Sequence, residues 1–159
     1  MSVDFLSDWE QTLTTTAFYA IKLCRIEDNK LKSGLHPRAR VRQEVGKNIY
    51  CKHPGEDFEY KMGVQLHSPP DSPGIYLFQL CELGYLLEIN SRDESFRRSN
   101  VITIVQIPTL SFVRYGQMLA SALVGYAAWL VKPKYFKTIN STSCIPRYII
   151  SPRGTAYDC

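Results

Sequence analysis

Thr16-Ala17-Phe18-Tyr19-Ala20-Ile21-Lys22-Leu23-Cys24-Arg25-Ile26 is the stretch whose reading decides the fold. Its apolar residues alternate instead of recurring at every third or fourth position. Tyr19, Ile21 and Leu23 fall on one face of an extended strand, and Phe18, Ala20, Lys22 and Cys24 on the other. Asp28-Asn29 then supplies a turn. On the N-terminal side, Ser7-Asp8-Trp9-Glu10 has the pattern of a capping box and predicts a short helix. The run Thr14-Thr15-Thr16 ends that helix, because β-branched residues lose side-chain freedom in helical backbone and favour strands.

Further along, extended segments are expected over 59–67, over 75–89 with a break near Gly84, and over 101–107. The first two are joined by Ser68-Pro69-Pro70-Asp71-Ser72-Pro73-Gly74, a turn-rich loop, and a polar connection covers 90–100. Ser111 is positioned to cap a helix over 112–131, on which Phe112, Tyr115, Gly116, Leu119, Leu123, Tyr126 and Leu130 recur at helical spacing. Its uncharged part, 118–131, is shorter than the ~20 residues a bilayer span requires, so it reads as a core helix. Pro133 closes that pattern, and the tail to Cys159 is expected to add one or two edge strands. The expected fold is one α+β domain over 1–159, a mainly antiparallel sheet packed against one long apolar helix. A short N-terminal segment, 1–14, and a basic loop, 30–52, are set apart from it.

The 159 residues are 45% hydrophobic and 21% charged, which is globular and not disordered composition. The net charge of +4 is unevenly spread. From Lys30 to Lys52 seven basic residues (Lys30, Lys32, Arg38, Arg40, Arg42, Lys47, Lys52) face Glu44 alone, a balance of +6. The remainder, twelve basic and fourteen acidic, carries −2. Such a concentration is the electrostatic footprint of a surface for phosphates on RNA or anionic lipid headgroups. With Gly34, Pro37 and Gly46 among the charges, 30–47 reads as a mobile loop with at most a short helix near 38–45. Tyr50 stands beside the charges, but one aromatic residue is too little for a base-stacking platform.

Five cysteines (Cys24, Cys51, Cys81, Cys144, Cys159) form no CxxC pair, which points to a reducing compartment and away from a disulfide framework. The acidic start Met-Ser-Val-Asp-Phe-Leu does not read as a secretory signal, so a cytosolic setting is expected. Cys51-Lys52-His53 brings a thiol and an imidazole into one loop, without an orienting acid. Cys51, His53, His67 and Cys81 lack the close spacings of structural zinc sites. No phosphate cradle, nucleophile elbow, HExxH or dinucleotide fingerprint occurs. The expectation is a non-enzymatic protein with no metal or cofactor. At the other end of the chain, Phe5, Leu6 and Trp9 place large apolar side chains on a terminal segment that needs a covering surface, either the chain's own core or a groove on a second copy.

The order of elements resembles the compact matrix proteins of negative-strand RNA viruses, of the rhabdovirus and bornavirus type. Phe18-Tyr19-Ala20-Ile21-Lys22-Leu23 looks like their opening strand, Gly74-Ile75-Tyr76-Leu77-Phe78-Gln79-Leu80 like a central strand, and 112–130 is similar to a helix packed on the sheet. The resemblance implies a structural protein of the virion and host cytoplasm, peripheral at the inner membrane face. Such a protein forms a homo-oligomer or polymer and links anionic membrane to the nucleocapsid or its RNA. The chain departs from the family in two places: Pro69-Pro70-Asp71-Ser72 stands where many members carry PPxY, and its N-terminal arm is acidic instead of basic. A small RNA-binding accessory protein without polymer formation, such as a viral silencing suppressor, is the second reading.

Overall fold

A computed structural model describes residues 4–5, 12–34, 40–44, 47–51, 58–69, 72, 74–119 and 135–150; for 4–5, 40–44 and 47–51 the description is of the backbone. Twelve strands occur among the described residues: β1 (Asp4–Phe5), β2 (Thr12–Leu13), β3 (Phe18–Glu27), β4 (Lys30–Ser33), β5 (Arg40–Glu44), β6 (Lys47–Cys51), β7 (Leu66–His67), β8 (Ile75–Gln79), β9 (Val101–Ile107), β10 (Phe112–Leu119), β11 (Tyr135–Ser141) and β12 (Ser143–Ile150). A 3-10 turn, Leu80–Glu82, leads into α1 (Leu83–Arg92), and α2 (Glu94–Ser99) follows. Ten strands make one antiparallel sheet in the order β1-β10-β11-β8-β3-β9-β12-β7, with β2 also on β10 and β4 on β3, while β5 and β6 pair with each other and with no other described strand.

Sheet order and chain order together require curvature. Ser141 in β11 and Ser143 in β12 are separated by Thr142 alone, yet β8, β3 and β9 lie between these strands in the sheet. At about 4.8 Å per strand spacing, a flat sheet would hold them far apart. The sheet therefore curls into an open barrel that closes at this corner, where the Ser111 and Ser143 hydroxyls meet at 2.8 Å and Thr142 N–H donates to the Phe112 carbonyl at 3.0 Å.

Each long strand divides its side chains between the two faces. Ala20 and Cys24 of β3, Ile75 and Leu77 of β8, Val105 and Ile107 of β9, Val113, Ile139, Cys144 and Ile149 share the inner core with Leu31 and Tyr60. Ile21, Leu23, Phe78, Ile102, Ile104, Met118 and Phe136 face outward and are covered by Leu86, Ile89 and Phe96 of the helices. Phe136 meets Phe78 and Tyr85 edge-on, with centroids 5.7 and 6.4 Å away. The split of faces along β3 is the one read from its alternation.

Several expectations need correction. The helix expected over 112–131 is strand β10 as far as Leu119, paired residue by residue with β11 from Val113↔Ser141 to Leu119↔Tyr135; 120–134 lie outside the described residues. The helical spacing of Phe112, Tyr115 and Leu119 misleads because this strand buries only Val113, Gly116, Met118 and its preceding Ser111, while the residues that set the spacing are exposed. The helices instead occupy 83–99, where an extended segment and a polar connection are expected. There Leu83, Leu86, Leu87 and Ile89 change the apolar period from two to three and four. Asp93 caps α2 by accepting from Phe96 N–H at 3.1 Å, and Arg92–Glu88 and Arg98–Glu94 pairs brace the exposed sides at 3.1 and 2.6 Å. No described helix is long and apolar enough to cross a membrane. Within 59–67 the extended backbone is limited to a bridge at Glu59 and to β7.

The tail strands are not edges either. β11 is inserted between β10 and β8, and β12 between β9 and β7. Pro146, which has no N–H to give the ladder, sits beside a bulge between Pro146 and Tyr148.

Candidate polyanion surface and a buried lysine

The basic stretch divides between two hairpins, which corrects the reading of 30–47 as a loop. The first, β3–β4, is made by the Asp28-Asn29 turn, where both residues adopt left-handed backbone (φ 53° and 60°), the geometry of the tight hairpin turn that matches strand twist. Leu31 and Ser33 are buried, so this hairpin is part of the core. In the second, β5–β6, the register pairs Arg40 with Cys51, Val41 with Tyr50, Arg42 with Ile49, Gln43 with Asn48 and Glu44 with Lys47. Positions 40, 42 and 47 fall on the same side of that ribbon, with Glu44, because residues alternate sides along a strand and opposite residues share one.

Charges on the first hairpin are largely compensated. Lys32 lies opposite Arg25, a like-charge pair that would repel. Glu27 relieves it: its carboxylate accepts from Arg25 Nε at 3.0 Å and sits 3.6 Å from Lys32 Nζ. The Arg25 hydrogen bond first, and the Lys32 charge second, hold the Glu27 carboxyl below its usual range. Arg25 also donates to the Ser33 carbonyl. Lys30 is exposed at the start of β4. Of the seven expected polyanion contacts, Arg40, Arg42 and Lys47 therefore share the ribbon, Lys30 and Lys32 belong to a different hairpin, and Arg38 and Lys52 lie outside the described residues.

The chain matches no model of a known family, no curated protein and no solved structure.

Of the expected self-association residues, Phe5 lies in β1, paired with the outer side of β10 through Asp4↔Gln117 and Phe5↔Gly116; Leu6 and Trp9 lie outside the described residues, as does the Ser7–Glu10 capping box. Of the thiol, imidazole and zinc candidates, Cys51 ends β6, His67 ends β7, Cys81 is exposed in the 3-10 turn, and His53 is outside the described residues. No group of three or more metal-ligating side chains forms among the described residues.

One charged residue escaped the sequence reading. Lys22, 1% exposed, points into the barrel. Strands β3 and β8 hydrogen-bond only at Ala20↔Gln79 and Ile21↔Phe78, and beyond that point Lys22 Nζ fills the gap by donating to the Tyr76 carbonyl at 3.0 Å. The ammonium also stands 5.7 Å from the centroid of the buried Tyr60 ring. Burial pulls the Lys22 pKa down to about 8. Burial also pushes the Cys24 and Cys144 thiols up, to about 11 and about 12, so both are protonated and weakly nucleophilic at neutral pH. The signal was a lysine on the same face as Phe18, Ala20 and Cys24.

Proposed function

We propose that this protein is a non-enzymatic assembly protein of the matrix kind, which self-associates and bridges an anionic membrane and a ribonucleoprotein. The observation that carries the reading is the ribbon of Arg40, Arg42 and Lys47, which hydrogen-bonds to no other described strand. A two-stranded ribbon outside the main sheet can lie along a charged surface without disturbing the core, and each of its cations that meets a phosphate releases a counterion. Compensated charges such as Arg25 and Lys32 bring less to such a contact.

A second reading, a small RNA-binding accessory protein that forms no polymer, is favoured by one observation. The N-terminal strand β1 already has a partner in its own chain, the edge of β10. Light scattering over a concentration series, at low and moderate salt and with or without anionic vesicles or RNA, separates the two. On the matrix reading the full chain forms larger species, and deletion of 1–10 leaves it folded by circular dichroism but monomeric. A protein that binds RNA while remaining monomeric before and after truncation sinks the matrix reading in favour of the second.

A further inference from the structure

The basic ribbon joins the core through two stems, and both are fastened to the same hairpin. On the outgoing side, Gly34 follows β4, and its N–H donates to the Leu23 carbonyl at 2.9 Å, prolonging the β3–β4 ladder past Ser33. On the returning side, Glu59 bridges to Lys32, and Tyr60 N–H donates to the Leu31 carbonyl at 2.7 Å, so 59–60 runs along the side of β4 away from β3. The stems are also tied to each other, because the Tyr60 hydroxyl hydrogen-bonds with Ser33, the neighbour of Gly34. Tyr60 is 4% exposed and its ring belongs to the inner core, where the Lys22 ammonium stands against it. Residues 35–58 are thus closed into one loop on a fixed base.

That base matters because of what supports the ribbon. A two-stranded hairpin is marginally stable in water, and β5–β6 pairs with no other described strand. Arg40, Arg42 and Lys47 share one side only while the register from Arg40↔Cys51 to Glu44↔Lys47 is kept. Holding the ends of the loop together removes part of the closure entropy that would otherwise oppose this pairing. Gly34 fits its place by having no side chain. A Cβ there would lie 2.9 Å from the Cys24 carbonyl carbon, 3.0 Å from its oxygen and 3.1 Å from Asn100 Oδ1. The first two are backbone atoms of a strand paired on both sides, with Val101 and with Ser33, so the stem and not the strand must give way.

We infer that Gly34 and Tyr60 are positioning residues of the polyanion surface: by fastening both stems to the β3–β4 hairpin they keep β5–β6 paired, so that its three cations meet phosphates together. The inference rests on the polyanion part of the proposed function and adds to it residues that touch no ligand.

Hydrogen exchange and binding on the full chain test it. Gly34→Ala is expected to speed amide exchange over 40–51 about fivefold and to leave exchange over 101–107, in β9, as in the parent. Tyr60→Phe keeps the ring and removes only the bond to Ser33. It shows the same change to a smaller degree, and it carries the test if the alanine variant fails to fold. Binding is read as the slope of affinity against salt, with poly-uridylate RNA and with phosphatidylserine vesicles, because loss of folded protein lowers the active fraction without changing that slope. Gly34→Ala should flatten the slope by about one contact and weaken binding about eightfold at ~0.1 M salt. Adding Gln43→Thr and Asn48→Thr, a cross-strand pair on the side of the ribbon away from the cations, strengthens the pairing by another route and restores the slope. Exchange over 40–51 that is unchanged in both stem variants, or raised equally over 101–107, overturns the inference, as does a loss of slope that the threonine pair leaves unrepaired. Should Arg40→Ala/Arg42→Ala/Lys47→Ala bind both probes like the parent, the polyanion reading falls and takes the stems with it. A loss in that variant, with both stem variants binding like the parent, sinks the stems alone.

Discussion

The hairpins β3–β4 and β5–β6 divide one basic stretch of sequence, and they use their charges differently. In β3–β4, Arg25 and Lys32 converge on Glu27, and the apolar Leu31 between them is buried. In β5–β6, Arg40, Arg42 and Lys47 stand on a ribbon that pairs with no other described strand, with the single acidic position Glu44 opposite Lys47 on the same side. Lys22, a few residues upstream, is the limiting case of a cation taken wholly into the core. Charge density along a sequence therefore counts cations without saying which are committed to the fold. Availability depends on what each cation faces.

The comparison breaks most directly at the ribbon. Arg40→Ala/Arg42→Ala/Lys47→Ala is expected to weaken binding to RNA or anionic vesicles by about two to three orders of magnitude at ~0.1 M salt, and to flatten the salt dependence by two to three contacts. Lys30→Ala/Lys32→Ala is expected to change that slope by less than one contact. Salt titrations of both variants decide the matter, and equal losses would erase the distinction between the hairpins.

Lys22→Met tests the core side. Below pH 8 the lysine is charged in both folded and unfolded chains, and the penalty of burying that charge is fully present. Between pH 8 and 10.5 the unfolded chain keeps a proton that the folded one has released, so this group makes stability rise with pH. Cys24 and Cys144 act in the opposite sense above pH 9, since their raised values favour the protonated folded state. Met fills a similar volume and carries no charge, so urea unfolding at pH 7 should show a gain of about 2–3 kcal/mol. The gain should shrink toward pH 10. A loss of stability at pH 7 would mean that the bond to the Tyr76 carbonyl outweighs desolvation.

The smallest effect comes from converting one hairpin toward the other. Glu27→Gln releases Lys32 and Arg25 from their shared carboxylate, and polyanion affinity is expected to rise by no more than about eightfold at ~0.1 M salt, the worth of one further contact. No rise at all would show that the geometry of β4, and not the carboxylate, keeps these cations from a ligand.

Strands β3, β8 and β9 were legible as extended segments, and the Asp28-Asn29 turn has the residues its backbone requires. β10 was not, because exposed Phe112, Tyr115 and Leu119 imitate a helical stripe, and its partner strand β11 begins only after fifteen further residues, 120–134. The helices of 83–99 were hidden because their apolar residues at helical spacing are few and give way to polar ones such as Ser91, Arg92 and Asp93, which bond within each short helix. The basic residues were visible as a cluster, but their division between a compensated hairpin and a separate ribbon depends on cross-strand register. Lys22 was assigned to the right face and not recognised as buried, since nothing local announces that Tyr60 and the Tyr76 carbonyl will meet it.

The corner at Thr142 also sets an order of events during synthesis. β11 completes the pairing of β8, and β12 that of β9, so both strands made in the middle of the chain keep an open edge until 135–150 have left the ribosome. Closure then depends on contacts between distant parts of the chain, which are slow to form. During that interval the growing chain exposes apolar strand edges of the kind that pair with other chains, so demand for chaperones should be greatest just before the last strands are made.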